Sequence, residues 1–206
     1  MSINLAKGQK IDLSKGGYGL SQVMVGLGWD EVQQNRGLLG SLFGSKPQDI
    51  DCDAFAIMLG YDGKLLHHTD SLNECTVFFN NLSDPARSII HQGDNLTGEG
   101  DGDDEQIMVN ISLIPPQVEK VVFVVNIYDA RTRKQHFGLI RNAFIRLVNM
   151  DNHTEICRYN LSENYNNMTG LVVGEIYKKN GEWKFNAIGQ PVQEASRLDS
   201  IINLYR

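Results

Sequence analysis

Residues 93–105 read GDNLTGEGDGDDE, six carboxylates and four glycines with no lysine, arginine or aromatic residue among them. Carboxylates at this density repel one another in any ordered conformation unless a cation or outside basic groups neutralise them. Hard divalent cations such as Ca²⁺ take about six to eight oxygens from carboxylates, amides, backbone carbonyls and water, and glycines let a backbone curl until several oxygens converge. The segment supplies both ingredients. On composition alone, a solvated acidic loop is an equal alternative.

A second row of acids shifts that balance. Asp49, Asp51 and Asp53 alternate along DIDCDAFAIML (49–59), and in a strand the period of two sends all three to one face, with Ile50, Cys52 and Ala54 on the other. The row resembles the opening of an EF-hand loop. That reading fails, because Ala54 stands where such a loop needs glycine and Gly60 where it needs a bidentate glutamate. Asp101, Asp103 and Glu105 repeat the alternation just before IMVNISL (107–113). If these two strand starts are neighbours at one rim, their loops form an oxygen-rich cup, to which Asp30 and the amides Asn80 and Asn81 can add.

Positioning such a cup requires strands, and the chain offers them. Short β-branched and aromatic runs recur from about residue 22 to residue 188: QVMVGLGW (22–29), AFAIMLG (54–60), TVFFN (76–80), IMVNISL (107–113), KVVFVVNIY (120–128), NAFIRLV (142–148), EICRYN (155–160), GLVVGEIYK (170–178) and WKFNAIG (183–189). This predicts a mainly β protein, a two-sheet antiparallel β-sandwich with acidic loops at one rim. VVFVVNI (121–127) is nearly continuous apolar, as a central strand covered on both faces would be. Turns are expected at Tyr61–Lys64 and at Lys179–Glu182, where Asn180-Gly181 is a strong hairpin signal. Leu198, Ile201, Ile202 and Leu204 predict a short C-terminal helix. One domain over 1–206 is expected. Residues 31–48 form a long Gly-rich loop whose Leu38, Leu39, Leu42 and Phe43 either contact a partner or membrane or fold back onto the sandwich.

Composition narrows the partners. Of 25 acidic residues six lie in the opening segment, so the rest of the chain balances at 19 against 19 basic. No basic stripe suits nucleic acid. Cys52, Cys75 and Cys157 are widely spaced and read as core residues in a reducing compartment, which points to the cytoplasm. No apolar run is long enough to span a bilayer. His67 and His68 are adjacent and would point to opposite faces, and His91 reads as a plain loop histidine. Neither a G-x-S-x-G elbow, a P-loop nor H-E-x-x-H occurs, so hydrolase and nucleotide chemistry have no local signature.

Gly26-Leu27-Gly28-Trp29-Asp30, Asp51-x-Asp53, Phe79-Asn80-Asn81 and above all the whole of 93–105 resemble the TerD family of tellurite-resistance and general stress proteins. The similarity continues through FVVNIYDA (123–130), FGLIRNAFIRLVN (137–149), RYNLSEN (158–164) and GEIYKKNGEWKF (174–185), and the loop GLLGSLFGSKPQ (37–48) is most similar to the TerZ branch. The resemblance implies a calcium-binding sandwich holding two neighbouring Ca²⁺ ions and acting in resistance to tellurite, other chemical stresses and phage. Carried over by position, the implied ligands are Asp30, Asp51, Asp53, Asn80, Asp94, Asn95, Asp103, Asp104 and Glu105, with carbonyls from Gly98 and Gly100. Cys75, beside Glu74, stands where relatives carry an aspartate. The expected function is a non-catalytic Ca²⁺-binding stress protein working through a protein partner or membrane-associated complex. The alternative is a metal-dependent phosphoesterase using the same acids.

Overall fold

Two six-stranded sheets pack face to face. The computed structural model describes residues 2–13, 20–31, 50–66, 72–93, 102–161, 163, 165–195 and 197–206. In chain order the strands are β1 (Ile3–Leu5), β2 (Lys10–Asp12), β3 (Gln22–Glu31), β4 (Cys52–Leu59), β5 (Thr76–Val77), β6 (Ile89–His91), β7 (Glu105–Asn110), β8 (Lys120–Ile127), β9 (Ile140–Asn149), β10 (Thr154–Asn160), β11 (Gly170–Lys179) and β12 (Glu182–Val192). Helix α1 (Ala130–Arg133) follows β8, and α2 (Leu198–Ile202) closes the chain with a 3₁₀ turn over Asn203–Tyr205. One sheet runs β1-β10-β9-β3-β7-β6 and the other β2-β12-β11-β8-β4-β5. All pairings are antiparallel except β1 with β10.

The apolar run predicted to be central is so: β8 lies between β11 and β4, and residues 121–127 are all buried. Parity divides the faces. Leu27 and Trp29 of β3 meet Val125 of β8 and Leu171 of β11 around a cavity of about 10 Å³ between the sheets. Asp53 and Asn126, paired in register, therefore sit on the opposite, outer face of the second sheet. There Phe55 stacks on Phe78 at 5.7 Å, and Leu198 of α2 lies beside them.

The predicted turns form, with Gly63 at φ +74° and Asn180-Gly181 at φ +55° and +79°, the positive pair a two-residue hairpin needs. Three strands escaped the sequence reading: β1, β2 and β6 are each three residues long. Two runs are shorter than predicted. TVFFN is strand only over Thr76–Val77, because Phe78 and Asn81 exchange backbone hydrogen bonds across a tight turn. IMVNISL leaves the sheet at Asn110 and coils into a 3₁₀ turn at Ile111–Leu113, before Pro115.

Two short strands close open edges. β1 pairs along β10 and β2 along β12, so the first twelve residues cover an edge of each sheet in turn. All three cysteines are buried, and burial pushes the Cys157 thiol up to about 12, so it is inert packing. No helix among the described residues is long and apolar enough to cross a membrane. Most of loop 31–48, Gly17–Gly19, His67 and His68 lie outside the described residues.

Candidate metal centre

The acids that end segment 93–105 are fixed by glycines of β3. Gly26 lies opposite Gln106 on β7 and Arg146 on β9. A Cβ on Gly26 would stand 2.4 Å from the Asp103 carboxylate, so that carboxylate packs directly on bare backbone. Gly28 is closed in the same way by the Phe144 ring at 2.4 Å and the Gly102 carbonyl at 2.7 Å. The two glycines, one repeat apart on one face, are what let the chain ending the acidic segment lie flat on the sheet. Gly28→Ala is expected to destabilise the protein by roughly 1–3 kcal/mol through overpacking, measured as a lowered denaturant midpoint at unchanged slope.

On that platform Asp103 has no side-chain exposure and is held bidentately by Arg146, Nε donating to Oδ1 at 2.7 Å and Nη2 to Oδ2 at 2.9 Å. Gln106 Nε2 adds a donor at 3.2 Å, and Arg146 also reaches Glu155 at 3.3 Å. Asp104 turns the other way, its Oδ2 accepting from Trp29 N–H at 2.7 Å while its own N–H donates to the Leu27 carbonyl at 2.8 Å. Asp30 is exposed and accepts from Asn142 Nδ2 at 2.7 Å.

Burial holds the Asp104 carboxyl above its ordinary value of 3.8, the Trp29 N–H opposes the shift, and the charges of Asp30 and Asp103 add to it. Asp104 thus feels the negative charge of both Asp30 and Asp103. A carboxyl whose pKa rises on folding binds protons better when folded. Its charged form opposes folding, so metal-free stability falls as pH climbs from about 3.8 through the raised value. Asparagine keeps the acceptor for Trp29 and drops the charge. Asp104→Asn should therefore raise the metal-free melting temperature at neutral pH and remove that part of the pH slope, as thermal melts from pH 3 to 8 would record.

A second oxygen group sits at the same end of the sandwich but on the other sheet, where β4 starts beside the end of β8. Asp53, Asn80, Asn126 and Asp129 line a cleft of about 530 Å³ with Phe55 and Phe79. Asn126 is 2% exposed and its Oδ1 has no hydrogen-bond partner among the described residues, an acceptor presented without a donor. Asp51 lies near Arg133, with Nη1 3.5 Å from Oδ2. The structure therefore brings together Asp30, Asp103 and Asp104 on one sheet, and Asp53 with Asn80 on the other. Asp94, Asn95, Gly98 and Gly100 lie outside the described residues, as do Asp49, Glu99 and Asp101. Among the described residues no three carboxylate, imidazole or thiol groups converge on one point. The donor chemistry, carboxylate and amide oxygen with one buried acceptor unmet, fits a hard cation.

Three residues beside these groups carry little signal in the sequence. Asn126 and Asp129 are legible only as polar breaks in the apolar run VVNIYDA. His91, read as a loop histidine, is instead the last residue of β6 and 3% exposed. Its signal was the spacing Ile89-x-His91, which puts it on the buried face with Ile89.

A TerD domain model matches residues 1–205. The chain belongs to the TerD family. Stress response protein SCP2 of Bacillus subtilis (strain 168) is 49% identical over 205 residues, covering all of both chains. Tellurium resistance protein TerD of Serratia marcescens is 45% identical over 190 residues, with 92% of this chain and 91% of that one covered. A crystal structure of a TerD homologue from Streptomyces coelicolor A3(2) superimposes with a TM-score of 0.62 at 19% identity, covering 85% of this chain and 92% of the other, a likeness of fold. This TerD chain thus carries its glycine platform, Arg146 clamp and oxygen-lined cleft within a family whose members are named for stress response and tellurium resistance.

Proposed function

We propose that this TerD-family protein is a non-catalytic Ca²⁺-binding stress protein, whose ions order the acidic rim into a docking surface for a protein partner or a membrane-associated complex in the cytoplasm. The observation that carries it is the proximity of Asp30 and Asp103 to Asp104, whose carboxyl burial and like charge hold above its ordinary value. Asp30, Asp103 and Asp104 would contribute to one ion together with oxygens of segment 94–100. Asp53, Asn80 and the unmet Asn126 Oδ1 would serve a second beside Asp51. Bound Ca²⁺ would supply charge neutralisation and fixed geometry; the chain itself supplies the platform and the clamp. The names of its relatives, resistance and stress proteins, agree with a role outside catalysis. No arrangement among the described residues favours the phosphoesterase alternative.

Calorimetric titration tests this. Saturable Ca²⁺ binding with a stoichiometry near two is expected, with Mg²⁺ far weaker because it resists the dehydration that a crowded all-protein site demands. Trp29, whose backbone N–H is held by Asp104 and whose indole N–H lies buried and unpartnered, should report binding as a change in fluorescence. A titration without heat or fluorescence change up to millimolar Ca²⁺ would remove the calcium reading.

A further inference from the structure

His91 touches both ends of the acidic segment. Gly93 N–H donates to its Nδ1 at 3.2 Å, and its Nε2 lies 3.0 Å from Glu105 Oε2, with the two side chains 1% and 0% exposed. A ring nitrogen that accepts a hydrogen bond carries no proton, so the single imidazole proton sits on Nε2 and faces the carboxylate. That N–H meets Oε2 obliquely, and the attraction is electrostatic more than a linear hydrogen bond. The β6–β7 ladder pairs His91 with Ile107, and Gln92 N–H donates to the Gln106 carbonyl at 2.9 Å. These backbone bonds bring the strands together without fixing how the chain leaves them. At Gly93 it turns away at φ +120°, a conformation that only glycine adopts freely.

We infer that His91 is a positioning residue for the proposed cation site, its two ring nitrogens holding the first and last residues of segment 93–105. This rests on the calcium reading above. With the Glu105 side chain drawn into the sandwich, the chain before β7 departs from strand alternation, so that Asp104 accepts from Trp29 N–H while Asp103, instead of sharing the face of Glu105, lies over Gly26 beside Gln106. Glu105 then serves as the anchor of the segment rather than as a ligand. Nδ1 holds the start of the segment by a hydrogen bond and Nε2 its end by a close electrostatic contact, a pairing of acceptor and N–H on opposite sides of one rigid ring that no other residue type offers.

The test compares the parent protein with His91→Leu, which removes both contacts, and with His91→Asn, whose side-chain oxygen can replace Nδ1 as the acceptor for Gly93. Expected results are a Ca²⁺ affinity at least about tenfold weaker in His91→Leu, the range typical of residues that orient metal ligands, and partial recovery in His91→Asn. In Ca²⁺-free parent protein, ¹⁵N NMR should show protonation at Nε2 only, and the Gly93 amide should exchange slowly. It should exchange quickly in His91→Leu. Parent-like Ca²⁺ affinity in His91→Leu, or a proton on Nδ1 of the parent, overturns the inference. Should His91→Leu not fold, the tautomer and the Asn variant still decide. If the parent binds no Ca²⁺ while the tautomer and Gly93 exchange are as expected, the calcium reading falls and the tether itself is upheld.

Discussion

Replacing Arg146 with methionine is expected to lower the stability of the Ca²⁺-free protein by about 3 kcal/mol. Asp103 has no side-chain exposure, and Arg146 satisfies both of its oxygens at 2.7 and 2.9 Å. Removing the guanidinium leaves a buried carboxylate with Gln106 as its one remaining donor among the hydrogen bonds described, and Glu155 also loses a partner. Arg146 is itself 28% exposed, so water can enter behind the variant, which places the loss at the lower end for broken buried pairs. Methionine keeps much of the apolar stem, so the deficit reports charge rather than volume. The carboxylate released by Arg146 faces the proposed ion. Ca²⁺ should therefore raise the melting temperature of the variant by more than that of the parent. Chemical denaturation without Ca²⁺ and thermal melts with it measure the two effects. An unchanged metal-free midpoint would show that the pair does not hold the segment down.

Asp103→Asn combined with Asp104→Asn is expected to abolish the part of Ca²⁺ stabilisation that comes from the proposed ion at Asp30, Asp103 and Asp104. A ligand that binds only the folded state adds about 2.7 kcal/mol at a hundredfold excess over its dissociation constant, and the double variant should show none of it from this group. Both side chains stay nearly the same size, and the amide oxygen introduced by Asp104→Asn can still accept from Trp29 N–H. The metal-free protein should not collapse. Relief of the repulsion that raises the Asp104 carboxyl works in its favour, while loss of the charge opposite Arg146 works against it. A double variant that keeps a full Ca²⁺-induced shift would move the ion away from these residues, leaving the cleft around Asp53 and Asn126 as the place to look.

The long strands were legible because their residues repeat the physics of a sheet many times over. β3, β8, β11 and β12 are each eight or more residues long and hold several β-branched or aromatic residues, and their boundaries were found within a few positions. β1, β2 and β6 were not legible, since three residues hold no period and their strand state comes from the neighbour they pair with. The acidic half of the site was plain in composition. What neutralises it was not: Arg146 is 43 residues from Asp103, and only the register of β3 with β9 brings them together over Gly26. The same holds for Asn126, which reads as a flaw in an apolar strand until β4 sets Asp53 opposite it.

The pairing of β1 with β10 and of β2 with β12 also orders events during synthesis. Ile3 meets Cys157, and Lys10 meets Asn186, so these two strands are made long before the strands they pair with. At about 5–20 residues per second, they wait on the order of ten seconds outside the ribosome for their partners. The edges of β10 and β12 thus emerge when the segment that covers them is already there.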